Sequence, residues 1–310
     1  MKHFSVNEFR KKYADDSACL DKIFQLRYGK LEACPECQCK AEFRRITTRR
    51  CYQCKHCYAQ FYPTAGTPLE KTTTPLADWF YIIYLFTTTR NGVSAKEIQR
   101  TLDCTYKTAW RMGHCIRALI SGMDIELLNG FVDIDESYVG SSSKNWSKEK
   151  RKAAKKDTYM RKGKEVMRNR NLGTKKPVFA MKQRNGAVIA YSMPTITKET
   201  VFSCINQHVA KDATVSTDES SLYTYLQRDL GITHGTVKHK ADEYRNGVFC
   251  TNGVEGFFSQ LKRTIYGTHI SVSQKYIQNY INECTFRQNN RSNPHGMFEA
   301  MLMQFKPVIL

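Results

Sequence analysis

Acidic residues in the second half of the sequence have the types and spacing that a divalent metal site needs. The stretch FVDIDESYVG at 131–140 alternates apolar with polar residues, which predicts a half-buried β-strand with Asp133 and Asp135 on one face. Aspartate is a poor strand former, so two on one face need a reason. One interpretation is a carboxylate held on a rigid strand to bind a cation. The alternative is a solvated edge strand.

Two later acids lie where the predicted fold can bring them to that strand. Asp218 follows a short predicted strand at 213–217, and Glu255 lies in the first turn of a predicted helix, NGVEGFFSQLKR at 252–263. The ends of central strands and a helix packed across them can converge on one point. Three carboxylates a few ångströms apart repel each other unless divalent cations bind between them. Two such cations suit in-line displacement at phosphorus.

The overall charge indicates what such a site would act on. The 310 residues carry a formal net charge of +19 at pH 7, which favours a polyanionic partner such as DNA, RNA or an anionic membrane. No apolar run is long enough to span a bilayer, and the N-terminal residues lack the apolar region of a signal peptide. We therefore expect an intracellular protein with no membrane partner, whose substrate is a nucleic acid backbone.

The cysteine spacing near the N-terminus predicts a structural zinc site. Two C-x2-C pairs, one on each side of residues 38–53, can place four thiolates tetrahedrally around Zn²⁺. The predicted ligands are Cys34, Cys37, Cys54 and Cys57. Cys39 and Cys51 lie close by and are the alternative ligands. Several arginines between the pairs make this ribbon basic, so contact with phosphate and a purely structural role both remain open.

Residues 91–120 have the pattern of a helix-turn-helix. Ser94 is predicted to cap a first short helix, and Thr105 begins a second one. The second helix carries basic side chains at i, i+4 and i+7, on one face: Lys107, Arg111 and His114. Such a face suits the phosphates and major groove of DNA. The alternative is a solvated helix packed on the ribbon.

The remaining elements indicate an α/β fold, with a mixed sheet flanked by helices. The small zinc-ribbon and helix-turn-helix region precedes it in the sequence. From residue 131 onward the predicted order is three strands, then helix, strand, helix, strand and helix, with Asn185–Gly186 at a hairpin turn. The predicted domains are the N-terminal helices with the zinc ribbon at 1–68, the helix-turn-helix region at 69–125, and the domain with the acidic site at 126–310. Within the last, residues 144–176 form a basic insertion with 14 lysines and arginines against three acids, which is either solvated charge or a clamp for a polyanion.

Other residues near the predicted acidic site are candidates for supporting roles. Lys262 shares a helix face with Glu255 and is a candidate DNA contact. Asn252 is placed to cap that helix. His239 ends a strand predicted at 236–239, where it either reaches the site or is only a strand-end histidine. Tyr223 is expected to pack in the core.

Over nearly its whole length the sequence resembles a known family, the ISXO-type insertion-sequence DDE transposases, which are bacterial relatives of the eukaryotic Merlin elements. The motifs that carry the resemblance are CPEC…CKHC, TPLEKTTTPLADWF, the helix-turn-helix, DIDESYVG, TDESSLY, NGVEGFFSQLKR and NECTFRQNNR. The resemblance implies an RNase H-like catalytic domain that uses Mg²⁺ or Mn²⁺. It assigns the catalytic, metal-binding acids as Asp135, Asp218 and Glu255, with Asp133 in support. Ser141 departs from the family, which commonly has a second glycine there.

The resemblance also implies a function. We expect a DNA transposase that binds the terminal inverted repeats of its element, cleaves their ends and transfers them to target DNA as a homodimer or higher oligomer. It would act in the cytoplasm on the nucleoid if bacterial, or in the nucleus if it is of the eukaryotic Merlin type. The alternatives are a domesticated, non-catalytic DNA-binding regulator, and an RNase H-like nuclease or resolvase that cuts without strand transfer.

Overall fold

The computed structural model describes residues 4–121, 125–140, 147–149, 151–153, 175–237 and 247–305. The chain forms two compact units. The first unit comprises Met1–Met123 together with Asn290–Leu310, and the second comprises Asp124–Asn289. The division after Met123 falls close to the start that the sequence predicts for the catalytic domain, whereas the residues from Asn290 onward belong to the first unit.

The first unit opens with two helices, α1 (Val6–Lys12) and α2 (Asp16–Tyr28). Ser5 caps α1 in a reciprocal arrangement with Glu8, and the side chain of Asp15 caps α2. The following antiparallel ribbon has the strand order β1-β2-β3, formed by Phe43–Ile46, Cys51–Cys54 and Gln60–Phe61.

Three more helices follow the ribbon. Helix α3 (Leu76–Thr88) is apolar on all sides, and this explains why most of its side chains are buried. Helices α4 (Ala95–Leu102) and α5 (Tyr106–Ile120) are the predicted helix pair. Ser94 and Thr105 are their N-caps, as predicted, and Asp103 adopts a left-handed conformation in the turn between them.

The second unit is built on a five-stranded mixed sheet in the order β6-β5-β4-β7-β8. The strands are β4 (Phe131–Val139), β5 (Lys176–Gln183), β6 (Val188–Ser192), β7 (Thr214–Asp218) and β8 (Thr233–Val237). Strands β4, β5 and β6 pair antiparallel, while β7 and β8 run parallel to β4. The predicted mixed sheet is therefore confirmed. Since β4 is its central strand, the edge-strand interpretation of 131–140 is wrong.

Helices cover both faces of this sheet. One apolar cluster joins a face of the sheet to α6 (Lys198–His208) and α7 (Leu226–Leu230). The cluster on the other face involves α8 (Asn252–Arg263) and α9 (Ile277–Asn290). A single 3-10 turn, Ser221–Tyr223, precedes α7, so the helix predicted over 222–230 is divided in two. The last predicted strand lies slightly earlier than expected, at β8.

Amide side chains from α9 bind the outer edge of β6. Gln278 accepts a hydrogen bond from the Ser192 N–H at 2.7 Å and donates one to the Ala190 carbonyl at 3.2 Å. Asn289 makes the same two-way contact with the backbone of Val188, at 2.8 and 3.0 Å. These bonds satisfy backbone groups that an edge strand otherwise leaves open to another chain.

The chain then returns to the first unit as α10 (Met297–Leu302). Phe298 enters an aromatic cluster whose ring centroids lie 5.2 to 6.4 Å from its own, formed by Phe4, Phe9, Tyr13, Phe80 and Tyr84. Beside it, the Glu299 carboxylate lies 2.6 Å from the Lys12 ammonium and 2.7 Å from that of Lys22. The ends of the chain thus share one core.

Some predictions fall outside the described residues. They are the role of His239 and most of the basic insertion at 144–176. Within the described part of the chain, no helix is both long enough and apolar enough to cross a membrane.

Candidate functional site

The sheet and α8 bring the three predicted acids to one side of the second unit. Strands β4 and β7 pair in parallel with Val132 opposite Val215 and Asp133 opposite Ser216. Continued along both strands, this register places Asp135 level with Asp218, the last residue of β7. Glu255 lies in the first turn of α8, which packs on the same sheet.

The electrostatics of Asp135 show that these carboxylates influence one another. Burial raises the pKa of Asp135 to about 7, and the charges of Glu136, Asp218 and Glu255 contribute to the rise. The Glu136 N–H opposes it by donating a hydrogen bond to Asp135 Oδ1 at 2.8 Å. An excess of negative charge therefore surrounds Asp135.

Hard divalent cations fit this donor set, because Mg²⁺ and Mn²⁺ prefer carboxylate oxygens and would relieve the repulsion. The three carboxylates do not all lie in mutual contact. Among the described residues, only four cysteines form a cluster of three or more ligand atoms that all lie within 4.8 Å of one another. At least one pair of the three carboxylates is therefore further apart than this.

Asp218 is followed by a tight turn that is attached to β4. The Ser220 N–H donates to Asp218 Oδ1 at 3.1 Å, and Ser220 caps the 3-10 turn. That turn ends at Tyr223, a fully buried residue whose hydroxyl donates to Glu136 Oε2 at 2.6 Å. Burial raises the pKa of Glu136, and this hydrogen bond opposes the rise. Tyr223 packs in the core as expected, but sequence reasoning missed its partner, Glu136.

The structure separates the two aspartates that strand periodicity could not distinguish. Asp133 is only 1% exposed, and its Oδ1 accepts a hydrogen bond from Arg184 Nη2 at 3.2 Å. Burial raises the pKa of Asp133, while Arg184 opposes the rise. Asp133 thus has a cationic partner inside the protein, whereas Asp135 faces other carboxylates.

The start of α8 differs from the prediction by one residue. The helix begins at Asn252 and Thr251 occupies the N-cap, so the prediction that Asn252 caps the helix is wrong. The Thr251 side chain is buried, and its hydroxyl donates to Glu255 Oε1 at 2.7 Å. Lys262 is half-buried, two turns further along the same helix.

The zinc ligands predicted in the first unit lie together. The sulfurs of Cys34 and Cys57 are 3.9 Å apart, as are those of Cys37 and Cys54, and all four sulfurs lie within 4.8 Å of one another. The Cys57 and His56 backbone N–H groups lower the pKa of Cys54, whereas burial and the neighbouring cysteines, opposed by the Ala59 N–H, raise that of Cys57.

The alternative zinc ligands lie outside this cluster. Cys39 is exposed, and Cys51 is buried in β2 with its sulfur 3.9 Å from Gln60 Oε1. The four-cysteine set therefore fits a structural Zn²⁺ on its own.

The basic residues predicted on α5 differ in exposure. Lys107 and Arg111 are exposed, and the Arg111 guanidinium lies 5.8 Å from the Trp79 ring centroid. His114 is half-buried, and its ring centroid lies 4.1 Å from that of Trp110. Lys107 and Arg111 are therefore the two of this set that are available to an external partner.

Comparison with family models gives two matches. Residues 127–289 match the ISXO2-like transposase domain, a span that contains the whole sheet of the second unit and α8. Residues 14–60 match the transposase zinc-ribbon domain, which includes α2 and all four clustered cysteines. No curated protein shows a significant match to the chain.

Proposed function

The chain belongs to the ISXO2-like transposase family, and from this we propose that it binds the terminal inverted repeats of an insertion sequence, cleaves them and transfers the ends to target DNA. The observation that carries the proposal is the approach of Asp135, Asp218 and Glu255 within the family-matched domain. The three carboxylates come from three separate elements; burial raises the pKa of Asp135, and the charges of Asp218 and Glu255 add to that rise.

The three carboxylates would hold two Mg²⁺ or Mn²⁺ ions. When bound, such ions activate an attacking hydroxyl and stabilise the leaving oxygen of an in-line displacement at phosphorus. The protein supplies the placement of its ligands: β4 carries Asp135, the end of β7 carries Asp218, and the first turn of α8 carries Glu255.

The proposed reaction needs no protein nucleophile. In the first step a water oxygen attacks the phosphodiester at the element end, and one P–O bond replaces another as a 3′-hydroxyl is released. In the second step that 3′-hydroxyl attacks a target phosphodiester and releases a target 3′-hydroxyl. Each step exchanges one phosphorus–oxygen bond for another, so strand transfer requires no further energy source.

We propose that the zinc ribbon and the α4–α5 pair bind the element ends. The support is the net charge of +19 and the exposure of Lys107 and Arg111 on α5, with His114 beside them; Lys262, two turns beyond Glu255 on α8, is a further candidate DNA contact. Because two element ends must be joined to one target, we expect a homodimer or larger assembly on DNA.

The DNA-binding proposal predicts a change in salt dependence. Replacing Lys107 and Arg111 by alanine should weaken binding to end DNA and reduce the slope of log affinity against log salt by about one for each lost phosphate contact. Lys11→Ala, an exposed lysine of α1 outside the zinc-ribbon match, is the matched control. Equal slopes for the double variant and wild type would contradict a DNA-binding role for this face.

The catalytic proposal is tested by cleavage of end DNA in the presence of Mg²⁺ or Mn²⁺. Asp135→Asn, Asp218→Asn and Glu255→Gln should each reduce cleavage to background. Glu219→Gln, an exposed acid next to Asp218, should leave it near wild type. Cleavage that survives any of the first three substitutions would overturn that residue's assignment.

The products separate the proposal from its alternatives. A joined product between end DNA and target DNA identifies strand transfer. Cleavage without joining identifies a nuclease, and DNA binding without metal-dependent cleavage identifies a non-catalytic regulator.

A further inference from the structure

Four residues form a row across one face of the sheet in the second unit, one from each of four neighbouring strands. Asp133 pairs with Lys182 on β5 and with Ser216 on β7, and Ser216 pairs with Gly235 on β8. Paired residues on adjacent strands share a face, so these four side-chain positions lie side by side. Two of the four are small, and this leaves space above the row.

The segment that leads into α8 and the first turn of that helix occupy this space. A Cβ atom on Gly253 would lie 2.6 Å from Asp133 Oδ2, which shows how closely the backbone approaches the buried carboxylate. Lys182 Nζ donates to the Gly253 carbonyl at 3.2 Å. At the other end of the row, the Phe249 ring lies so close to Gly235 that a Cβ there would be 2.4 Å from it.

Arg184 fixes the Asp133 carboxylate and holds the same segment. Its Nη2 donates to Asp133 Oδ1 at 3.2 Å, and its Nη1 donates to the Val248 carbonyl at 3.0 Å. The same Nη2 lies 3.2 Å from the Cys250 sulfur. Because Asp133 is 1% exposed and bound in this way, its carboxylate cannot rotate aside to make room for a larger residue at 253.

Glu255 lies two residues beyond this anchor. We propose that Asp133, held by Arg184, is a positioning residue that fixes the backbone at Gly253 and thereby the position of the Glu255 carboxylate relative to Asp135. The inference rests on the proposed function, because it takes Glu255 as a metal ligand. It assigns Asp133 a role through the α8 backbone rather than as a ligand itself.

The experiment compares alanine at two glycines of α8 in the full-length, zinc-loaded protein. Helix propensity favours alanine at both positions. At Gly256 an added Cβ meets nothing within 4 Å, whereas at Gly253 it meets Asp133. Gly253→Ala should therefore speed amide hydrogen exchange over 247–256 and weaken Mn²⁺ binding, measured by paramagnetic resonance without DNA, by about 10- to 100-fold.

Three further variants serve as controls for Gly253→Ala. Gly256→Ala should leave exchange and Mn²⁺ affinity at wild-type values. Glu255→Gln should weaken Mn²⁺ binding at least as much as Gly253→Ala, without loosening the segment. In an Asp133→Ala background, Gly253→Ala should have no further effect, because the atom it would meet is gone.

Three results would overturn the inference: unchanged exchange and affinity in Gly253→Ala, a loosened segment with unchanged Mn²⁺ affinity, or equal effects of Gly253→Ala with and without Asp133. The proposed function fails separately. A wild-type protein that binds Mn²⁺ but cleaves no end DNA would refute the proposed function, while the Gly253 comparison would still decide the role of Asp133.

Discussion

Replacing Tyr223 by phenylalanine removes one hydroxyl from the interior of the second unit and leaves the ring in place. That hydroxyl donates to Glu136 Oε2 at 2.6 Å, and it connects the turn after β7 to the central strand. Tyr223 is fully buried, and burial together with the neighbouring carboxylates raises its pKa, so it stays protonated and remains a donor. The variant leaves the Glu136 carboxylate without this donor.

The expected cost follows from the charge of the acceptor. A hydrogen bond to an ionised group contributes about 1.5–3 kcal/mol, more than one between neutral groups. We therefore expect Tyr223→Phe to lower the free energy of unfolding of the second unit by about 2 kcal/mol. Since 1.4 kcal/mol corresponds to a factor of ten, the most protected amides should exchange roughly 30-fold faster.

Native-state hydrogen exchange at the β4 and β7 amides is the suitable assay, because it reports the opening of the second unit alone in a chain that has two units. Tyr191→Phe is the matched control. Its hydroxyl lies 3.1 Å from His208 Nε2, but the residue is 36% exposed, so we expect a change below about 0.5 kcal/mol.

A double-mutant cycle with Glu136→Ala identifies the partner. If the hydroxyl acts through Glu136, most of the cost of Tyr223→Phe should disappear in the Glu136→Ala background. The reasoning is refuted if the cost persists in full there, or if Tyr223→Phe is no more damaging than Tyr191→Phe.

Other predictions concern the zinc site, the end of the chain and the sheet edge. Cys34→Ser and Cys57→Ser should lose bound zinc in metal analysis while Cys39→Ser keeps it; retention by the first two would assign the metal to other ligands. Burial raises the pKa of Glu299, but Lys12 and Lys22 lower it by more than burial raises it, so the pKa lies below its usual value. Its ion pairs therefore stabilise the fold above its unfolded pKa and are lost as the pH falls through the lower folded value. Glu299→Gln should cost about 1 kcal/mol at pH 7 and nothing in acid, measured by denaturant unfolding; an equal cost at both pH values would contradict this. Asn289→Ala should unpair the β6 edge, cost about 1–3 kcal/mol and increase aggregation, followed by light scattering; unchanged scattering would argue against edge protection.

Features that depend on neighbours in the chain could be predicted from the sequence. Ser94 and Thr105 cap the two helices that their local patterns indicate. The two C-x2-C pairs form the predicted cluster, because a knuckle places its two sulfurs together by short-range geometry. The order of strands and helices in the second unit also follows from local periodicity.

Features that depend on strand register and on partners distant in the chain could not be predicted from the sequence. Glu136 and Tyr223 are separated by 87 positions, and nothing in either segment indicates the other. Asp133 differs from Asp135 because Arg184, in the turn after β5, reaches it. The central place of β4 likewise depends on β7 pairing alongside it, and alternation within 131–140 carries no information about that partner.

The return of the chain to the first unit determines the order in which the protein can fold during synthesis. The pair between Lys12 and Glu299 joins positions 287 residues apart, and Phe298 supplies a ring to the aromatic cluster of the N-terminal helices. All residues of the second unit leave the ribosome before Phe298 does. The first unit, although synthesised first, therefore completes its core last, and until then its aromatic cluster lacks the ring of Phe298. Domains usually fold in the order of their synthesis, and here the connectivity reverses that order.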